Sequence, residues 1–302
     1  MNLLKTSHRK VLKLLGVAMT MFMLAACSDS VTTSPELDTA GYNSGKFIAL
    51  NDTNKLLIFD GGHSYYGGSS DFTSRRVYGV DGTLLGIDYR PANGKLYGLS
   101  TTNKIYTINP ATGQATFVST LSVPFGGGAL SGFDFNPVVD RLRLTGVNDQ
   151  NYRVNVDTGV VIVDRTLSYS LGDRNQGRNP SITGLAYTNS VAGATTTMLY
   201  GIDYQLDVLV TQNPANDGLL QTVGGLDVNF GSMVGFNIVA GGYSGGSYGG
   251  SYGGSSSAYT GYAVTNSRLY QIDLGNGDAE RVKDLPSGNY RGLAVMPSSS
   301  RY

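Results

Sequence analysis

Apolar positions along the chain follow two patterns. Near the N-terminus they form one continuous run, residues 14–26, behind Lys5, Arg9, Lys10 and Lys13. From residue 46 onward they break into short runs separated by Gly, Pro, Asn, Asp and Thr, the spacing of brief strands joined by tight turns. One unit reads Gly86-Ile87-Asp88-Tyr89, Lys95-Leu96-Tyr97-Gly98-Leu99, Lys104-Ile105-Tyr106-Thr107-Ile108, a Pro110-Ala111-Thr112-Gly113 turn, and Thr116-Phe117-Val118. Its head recurs as Gly132-Phe133-Asp134-Phe135, Gly184-Leu185-Ala186-Tyr187, Gly235-Phe236-Asn237-Ile238 and Gly292-Leu293-Ala294-Val295. The heads start 46, 52, 51 and 57 residues apart. A period of this size with four strands per unit predicts a β-propeller.

The blade number follows from what is left at the two ends. Four complete units begin at Gly86, Gly132, Gly184 and Gly235, but Gly292 has only ten residues after it. Residues 46–85 hold three strands, at 47–50, 56–59 and 76–80, and no head. Joining the two remnants makes one more blade and removes two open sheet edges. The expected fold is therefore all-β: a five-bladed β-propeller of four-stranded blades, its ring closed by the C-terminal strand joining the N-terminal blade. Residues 291–296 should pair antiparallel with residues 47–50. The turns at 109–113, 156–159 and 274–277 each offer Gly or Asn where a hairpin needs positive φ.

Several motifs in order resemble a bacterial family known as domain of unknown function 4394. They are Leu85-Gly86-Ile87-Asp88-Tyr89-Arg90-Pro91, Gly132-Phe133-Asp134-Phe135-Asn136-Pro137, Asp140-Arg141-Leu142-Arg143-Leu144, Leu199-Tyr200-Gly201-Ile202-Asp203, Thr211-Gln212-Asn213-Pro214 and Arg291-Gly292-Leu293-Ala294-Val295. The resemblance spans roughly residues 47–297. It implies a secreted repeat β domain and supplies no activity.

Composition narrows the classes. Glycine makes up 42 of 302 residues, about twice the usual share, which disfavours helix interiors. Lys+Arg and Asp+Glu are each 22, so no basic surface marks a nucleic-acid partner. The single cysteine excludes a disulfide framework and a thiolate metal site, and no cofactor is called for. That cysteine closes Leu24-Ala25-Ala26-Cys27, which resembles the bacterial lipobox behind a cationic, apolar leader. The expected organisation is a lipoprotein signal peptide at 1–26, lipidated Cys27 with a flexible tether to 45, and the propeller at 46–302. Ser28 stands where an Asp would resemble the inner-membrane retention signal, so the expected address is the outer membrane, lipid-anchored. Removing the leader leaves 18 Lys and Arg against the same 22 Asp and Glu, a mildly acidic mature chain.

Candidate chemistry is sparse. Behind the leader the chain keeps one histidine, His63, within a Gly-rich stretch, too few ligands for a zinc site and poorly braced for a triad. Asp88 and Asp134 occupy the same place in successive heads. They are a candidate carboxyl pair for an envelope hydrolase or lyase acting on an acidic sugar, or hydrogen-bond acceptors between blades. Period two puts Arg141 and Arg143 on one strand face, with Arg153 on the next strand, where the neighbouring blade has Lys95, Tyr97 and Tyr106 or nearby residues. Three guanidiniums so close need an anion or the carboxylates of Asp134, Asp140 or Asp157 between them. The sequence 173–179 alternates oxygen side chains as calcium loops do, but it lacks the twelfth-position Glu and reads as a turn. Gly/Tyr-rich insertions at 61–70 and 241–257 carry aromatic rings able to stack on sugars, with Tyr243, Tyr248 and Tyr252 in the second. The reading these features favour is a membrane-anchored binding or scaffold protein for a glycan or an envelope partner, its ligand held by Arg141, Arg143, Arg153 and the loop tyrosines.

Overall fold

A computed structural model describes residues 42–61, 72–240 and 258–297. Cys27, His63, Tyr243, Tyr248 and Tyr252 lie outside the described residues, as do the leader and most of both Gly/Tyr-rich insertions. The chain runs through β1 (Tyr42–Asn51), β2 (Lys55–Asp60) and β3 (Phe72–Arg76) into four successive units. These are β4 (Leu84–Tyr89), β5 (Leu96–Ser100), β6 (Lys104–Ile108) and β7 (Ala115–Thr120); then β8 (Ser131–Asn136), β9 (Arg141–Gly146), β10 (Asn151–Val154) and β11 (Val161–Val163). After the short β12 (Ser168–Tyr169) come β13 (Ile182–Tyr187), β14 (Leu199–Asp203), β15 (Val208–Gln212) and β16 (Leu219–Gly225). The last are β17 (Gly235–Ala240), β18 (Tyr259–Thr265), β19 (Arg268–Ile272), β20 (Ala279–Asp284) and β21 (Tyr290–Pro297).

Five sheets result, and they form a five-bladed propeller. Blade one has the order β21-β1-β2-β3, with Val295 opposite Phe47 and Gly292 opposite Leu50, so the C-terminal strand closes the ring in the expected register. The innermost strands β21, β4, β8, β13 and β17 each meet the next around the axis. Three details depart from the sequence reading. The outer strand of blade one is Phe72–Arg76 rather than residues 76–80. The latter segment crosses to blade two instead, where Tyr78 exchanges backbone hydrogen bonds with Gly113 and Ala115. Blade four gains a fifth strand, β12, parallel to β16. β1 begins at Tyr42, inside the stretch read as tether.

Turn chemistry explains why the repeat folds so uniformly. In all five blades the hairpin between second and third strands carries a positive-φ Asn or Asp: Asn54, Asn103, Asp149, Asp207 and Asn266. These residues accept left-handed backbone at low cost. In blades two to five the hairpins between third and fourth strands each carry a positive-φ glycine, Gly113, Gly159, Gly218 and Gly277. At Gly113 (φ 82°) a Cβ would lie 2.2 Å from the carbonyl oxygen of Arg76 in blade one, and at Gly159 (φ 74°) 1.9 Å from that of Thr120 in blade two. Each outer hairpin thus docks backbone to backbone on the preceding blade, an approach that only glycine permits.

The core is divided among the seams between blades. Apolar clusters join blades one and two, two and three, four and five, and five and one. Aromatic pairs cross these seams: Tyr97 meets Phe135 at 5.4 Å and Phe47 meets Tyr262 at 4.9 Å. Such pairs add about 0.5–1.5 kcal/mol beyond their buried area. The fifth cluster gathers blade four with Leu167 and Tyr169 and takes nothing from β8–β11. The seam between blades three and four is joined by polar groups instead.

Candidate functional site

Arg143 stands at the centre of that polar seam. Its place on β9, opposite Asp134 and Arg153, corresponds to Tyr97 in blade two and Tyr200 in blade four. The register makes Thr107, not Tyr106, the blade-two counterpart of Arg153. A guanidinium therefore replaces a phenol, and the seam must satisfy its donors. Arg143 is 2 % exposed, and its Nη1 donates to Asp164 at 2.6 Å and to Asn151 at 2.8 Å. Nη2 donates to Asn216 Oδ1 at 2.7 Å, and Nε reaches the Tyr187 hydroxyl at 3.4 Å, both in blade four. Arg153 grips the same carboxylate with two donors, each at 2.7 Å. That hydrogen bonding to Asp164 holds the Arg153 pKa above its ordinary value.

Arg141 differs from its two neighbours. Its Nη1 donates only to backbone carbonyls, of Asp140 at 2.8 Å and Val139 at 3.4 Å, and among the described residues no carboxylate pairs with it. All three arginines line one cavity of about 240 Å³ with Asn136, Tyr187 and Asn216. Three guanidiniums thus share a single carboxylate, whose side chain is 5 % exposed.

The neutralising group is not one the sequence reading named. Asp140 and Asp157 both turn to Arg90, the residue two past Asp88, which forks between them at 2.5–2.9 Å. Arg90 also lies 5.8 Å from the centre of the Tyr97 ring. This clamp ties blade two to blade three, and the Arg90 guanidinium holds Asp157 below the usual carboxylate range. Its signal was present: Arg90 shares a strand face with Asp88 and points toward the blade that carries both carboxylates. Asp164 has no such signal, because it lies just past the short β11 and reaches Arg143 only through the seam.

Asp88 and Asp134 come together, but in the protein interior. They are 5 % and 2 % exposed. Asp88 accepts from Phe135 N–H at 3.1 Å and Asn237 Nδ2 at 3.2 Å, and Asp134 accepts from Tyr187 N–H at 2.8 Å. Each carboxyl is thus an acceptor for the next head strand, and the two also bond to each other. Burial pushes Asp88 up to about 7 and Asp134 well above the carboxylate range, the latter further by the charge of its neighbour. Both shifts favour the protonated form, so folding raises the pair's affinity for protons. Neither residue lines the arginine cavity. A glycosidic pair needs an open pocket that admits sugar and water, so this geometry removes Asp88 and Asp134 from the candidate catalytic set. Asp173 likewise serves the fold, accepting from Thr222 N–H at 2.6 Å and Asn175 N–H at 2.7 Å.

The cavity sits on the rim where the head strands end, marked by Asn136 and Tyr187. A larger cavity, about 520 Å³, lies on the same rim between blades one and two, and Lys95 is its one charged group. β2 ends at Asp60 and β17 at Ala240, so both Gly/Tyr-rich insertions leave the described fold at this rim. β1 enters there as well, beside Pro297.

The family model described as Domain of unknown function (DUF4394) matches residues 68–294. The chain belongs to this family. In this DUF4394 member the matched region runs from just before β3 into β21 and takes in every arginine of the cavity. No curated protein matches. Among solved structures, a protein of unknown function from Bacteroides thetaiotaomicron VPI-5482 aligns at 15% identity and TM-score 0.44, over 82% of this chain and 61% of that one. An auxiliary nutrient binding protein from the same organism aligns at 11% and 0.46, over 84% and 62%. Another so named, from Bacteroides ovatus ATCC 8483, aligns at 16% and 0.38, over 61% and 48%. The chain spans about three fifths of the first two proteins and half of the third.

Proposed function

We propose that the chain is a cell-envelope binding protein, held at the outer membrane through a lipid on Cys27, that takes a carboxylate- or phosphate-bearing ligand of the acidic-sugar class between blades three and four. The observation that carries this reading is the convergence of Arg141, Arg143 and Arg153 on one cavity with a single carboxylate among them. Arg143 and Arg153 are held rigid by Asp164, and Arg141, though its charge is felt by Asp157, has no carboxylate hydrogen-bonded to it. A pre-set fork of this kind suits a planar anion. The volume, about 240 Å³, is below the ~300–1,000 Å³ of drug-sized sites, so one acidic ring or its charged group enters rather than an oligosaccharide. Tyr243, Tyr248 and Tyr252 belong to the proposal as stacking rings for the rest of a glycan, since their insertion starts from the same rim.

Calorimetric titration tests the reading. Glucuronate, galacturonate and a sugar phosphate should bind, glucose and galactose should not, and affinity should fall with added salt. Arg141→Ala should weaken binding at least tenfold without unfolding the chain. Equal binding of neutral and acidic sugars, or an Arg141→Ala variant that binds as wild type, overturns it. Deleting residues 241–257 should weaken an acidic oligosaccharide and leave the monosaccharide unchanged. Release of Cys27→Ala from the membrane fraction checks the anchor.

A further inference from the structure

The opposite end of the axis holds a second polar site. In each head, the residue before the repeated glycine stands at the start of the innermost strand: Leu85, Ser131, Thr183, Val234 and Arg291. Ser131, Thr183, Val234 and Arg291 line a void of about 10 Å³, walled otherwise by apolar side chains such as Ile87, Phe133 and Phe236. That is room for one water-sized particle. Arg291 is 6 % exposed, and its Nη1 donates to the Leu84 carbonyl oxygen at 3.3 Å. Its Nε–H is buried with no acceptor, and the Thr183 hydroxyl is buried with no partner. Ser131 Oγ donates to the Gly128 carbonyl. Among the described residues no carboxylate pairs with Arg291. Asp52, the one acid whose field reaches it, is hydrogen-bonded to Asn289 at 2.8 Å.

A buried, uncompensated guanidinium is costly unless a counter-charge is present. Two buried groups that can donate and have no partner, the Arg291 Nε–H and the Thr183 hydroxyl, belong to residues lining the void. We infer that this end of the central axis binds a monatomic anion, chloride under ordinary conditions, between Arg291 and Thr183. A water would satisfy the Nε–H but leave the charge uncompensated, whereas a halide meets both needs and tolerates apolar walls. Chloride is somewhat larger than water and enters as the apolar walls give slightly, whereas carboxylates, phosphate and sugars are far too large, so the site is separate in ligand class from the arginine cavity. Arg291 thus trades a protein carboxylate for a solvent ion, and the ion would pin the closing strand to blade four.

The test uses the full-length protein. Thermal melts in sodium chloride and in sodium gluconate are compared at equal ionic strength, with Arg291→Gln and Arg141→Ala alongside. Chloride at tenfold excess over its Kd should raise Tm by about 2–4 °C over gluconate in wild type, saturably, and by the same amount in Arg141→Ala. The difference should vanish in Arg291→Gln. Equal melting in both salts, or loss of the chloride effect in Arg141→Ala, overturns the inference. Should Arg291→Gln fail to fold, wild-type crystals soaked in bromide decide the matter: an anomalous peak between Arg291 and Thr183 supports the site, and its absence overturns it.

Discussion

Asp134→Asn is expected to make the protein more stable at pH 8 and to give it a shallower loss of stability between pH 5 and pH 8 than wild type, with the burial of Asp88 supplying what slope remains. The Asp88–Asp134 pair binds protons more tightly when folded than unfolded, because burial raises both groups above their ordinary value and the charge of Asp88 raises Asp134 further. Its stabilising contribution is therefore fully present below the unfolded value of 3.8 and is lost as pH rises toward about 7 and beyond. Each excess proton costs ~1.4 kcal/mol per pH unit, so even one retained proton makes wild type lose roughly 3 kcal/mol between pH 5 and pH 7. An amide in place of Asp134 mimics the protonated acid. Its oxygen still accepts from Tyr187 N–H, and its amino group donates to Asp88, which then carries its charge among three donors. Asp88→Asn is the poorer choice, since Asn237 Nδ2 already points at Asp88 Oδ1 and would face a second amino group. Urea denaturation of both proteins at pH 5, 6, 7 and 8 reads the effect. Asp149, raised by its own burial, titrates alike in both and cancels in the difference. The reasoning is refuted if wild-type stability is flat or rising over this range, or if the variant keeps the wild-type slope.

Other perturbations probe the ring and the site. Truncation after Gly288 removes β21 with buried Tyr290, Leu293 and Val295, each worth about 1.5–3 kcal/mol, so the shortened chain should lose cooperative melting; a Tm within a few degrees of full length would sink the closure argument. Arg143→Ala leaves the Asp164 carboxylate with Arg153 alone and removes the donor to Asn216 Oδ1, and should cost about 3 kcal/mol or more in denaturant, whereas Arg141→Ala should cost under about 0.5 kcal/mol. Gly159→Ala forces a Cβ against Thr120 at positive φ and should cost at least ~1 kcal/mol; an unchanged unfolding midpoint would contradict the docked hairpin.

Much of this architecture was legible because the fold repeats itself. The head strands are buried along their whole length in β4 and β13 and over all but their last residues in the others, so Gly-apolar-x-apolar recurs wherever a strand lines the axis, and the odd remainder at each end forced the closure. The three arginines were legible for the same reason, as departures from a pattern that puts Tyr97 and Tyr200 elsewhere. Their partners were not. Strand pairing within a blade is local, whereas Arg143 meets Asn216, 73 residues on, and Arg90 meets Asp157, 67 residues on, across seams whose side-chain directions only the twist of adjacent blades sets. Asp88 and Asp134 show the converse difficulty. Their repeat was visible, but whether two carboxylates face a channel or fill it depends on how closely the five heads approach.

The position of β1 has a mechanical consequence. It is the first strand of the fold, yet it lies inside blade one, laddered to β21 on one side and β2 on the other, both antiparallel. Tension on the chain ahead of Tyr42 runs along the strand and loads both ladders in shear, so that many hydrogen bonds stretch together. An edge strand pulled from its end would instead unzip one bond at a time. A protein tethered from that side and dragged by flow would transmit the load directly into the seam where the circle is joined.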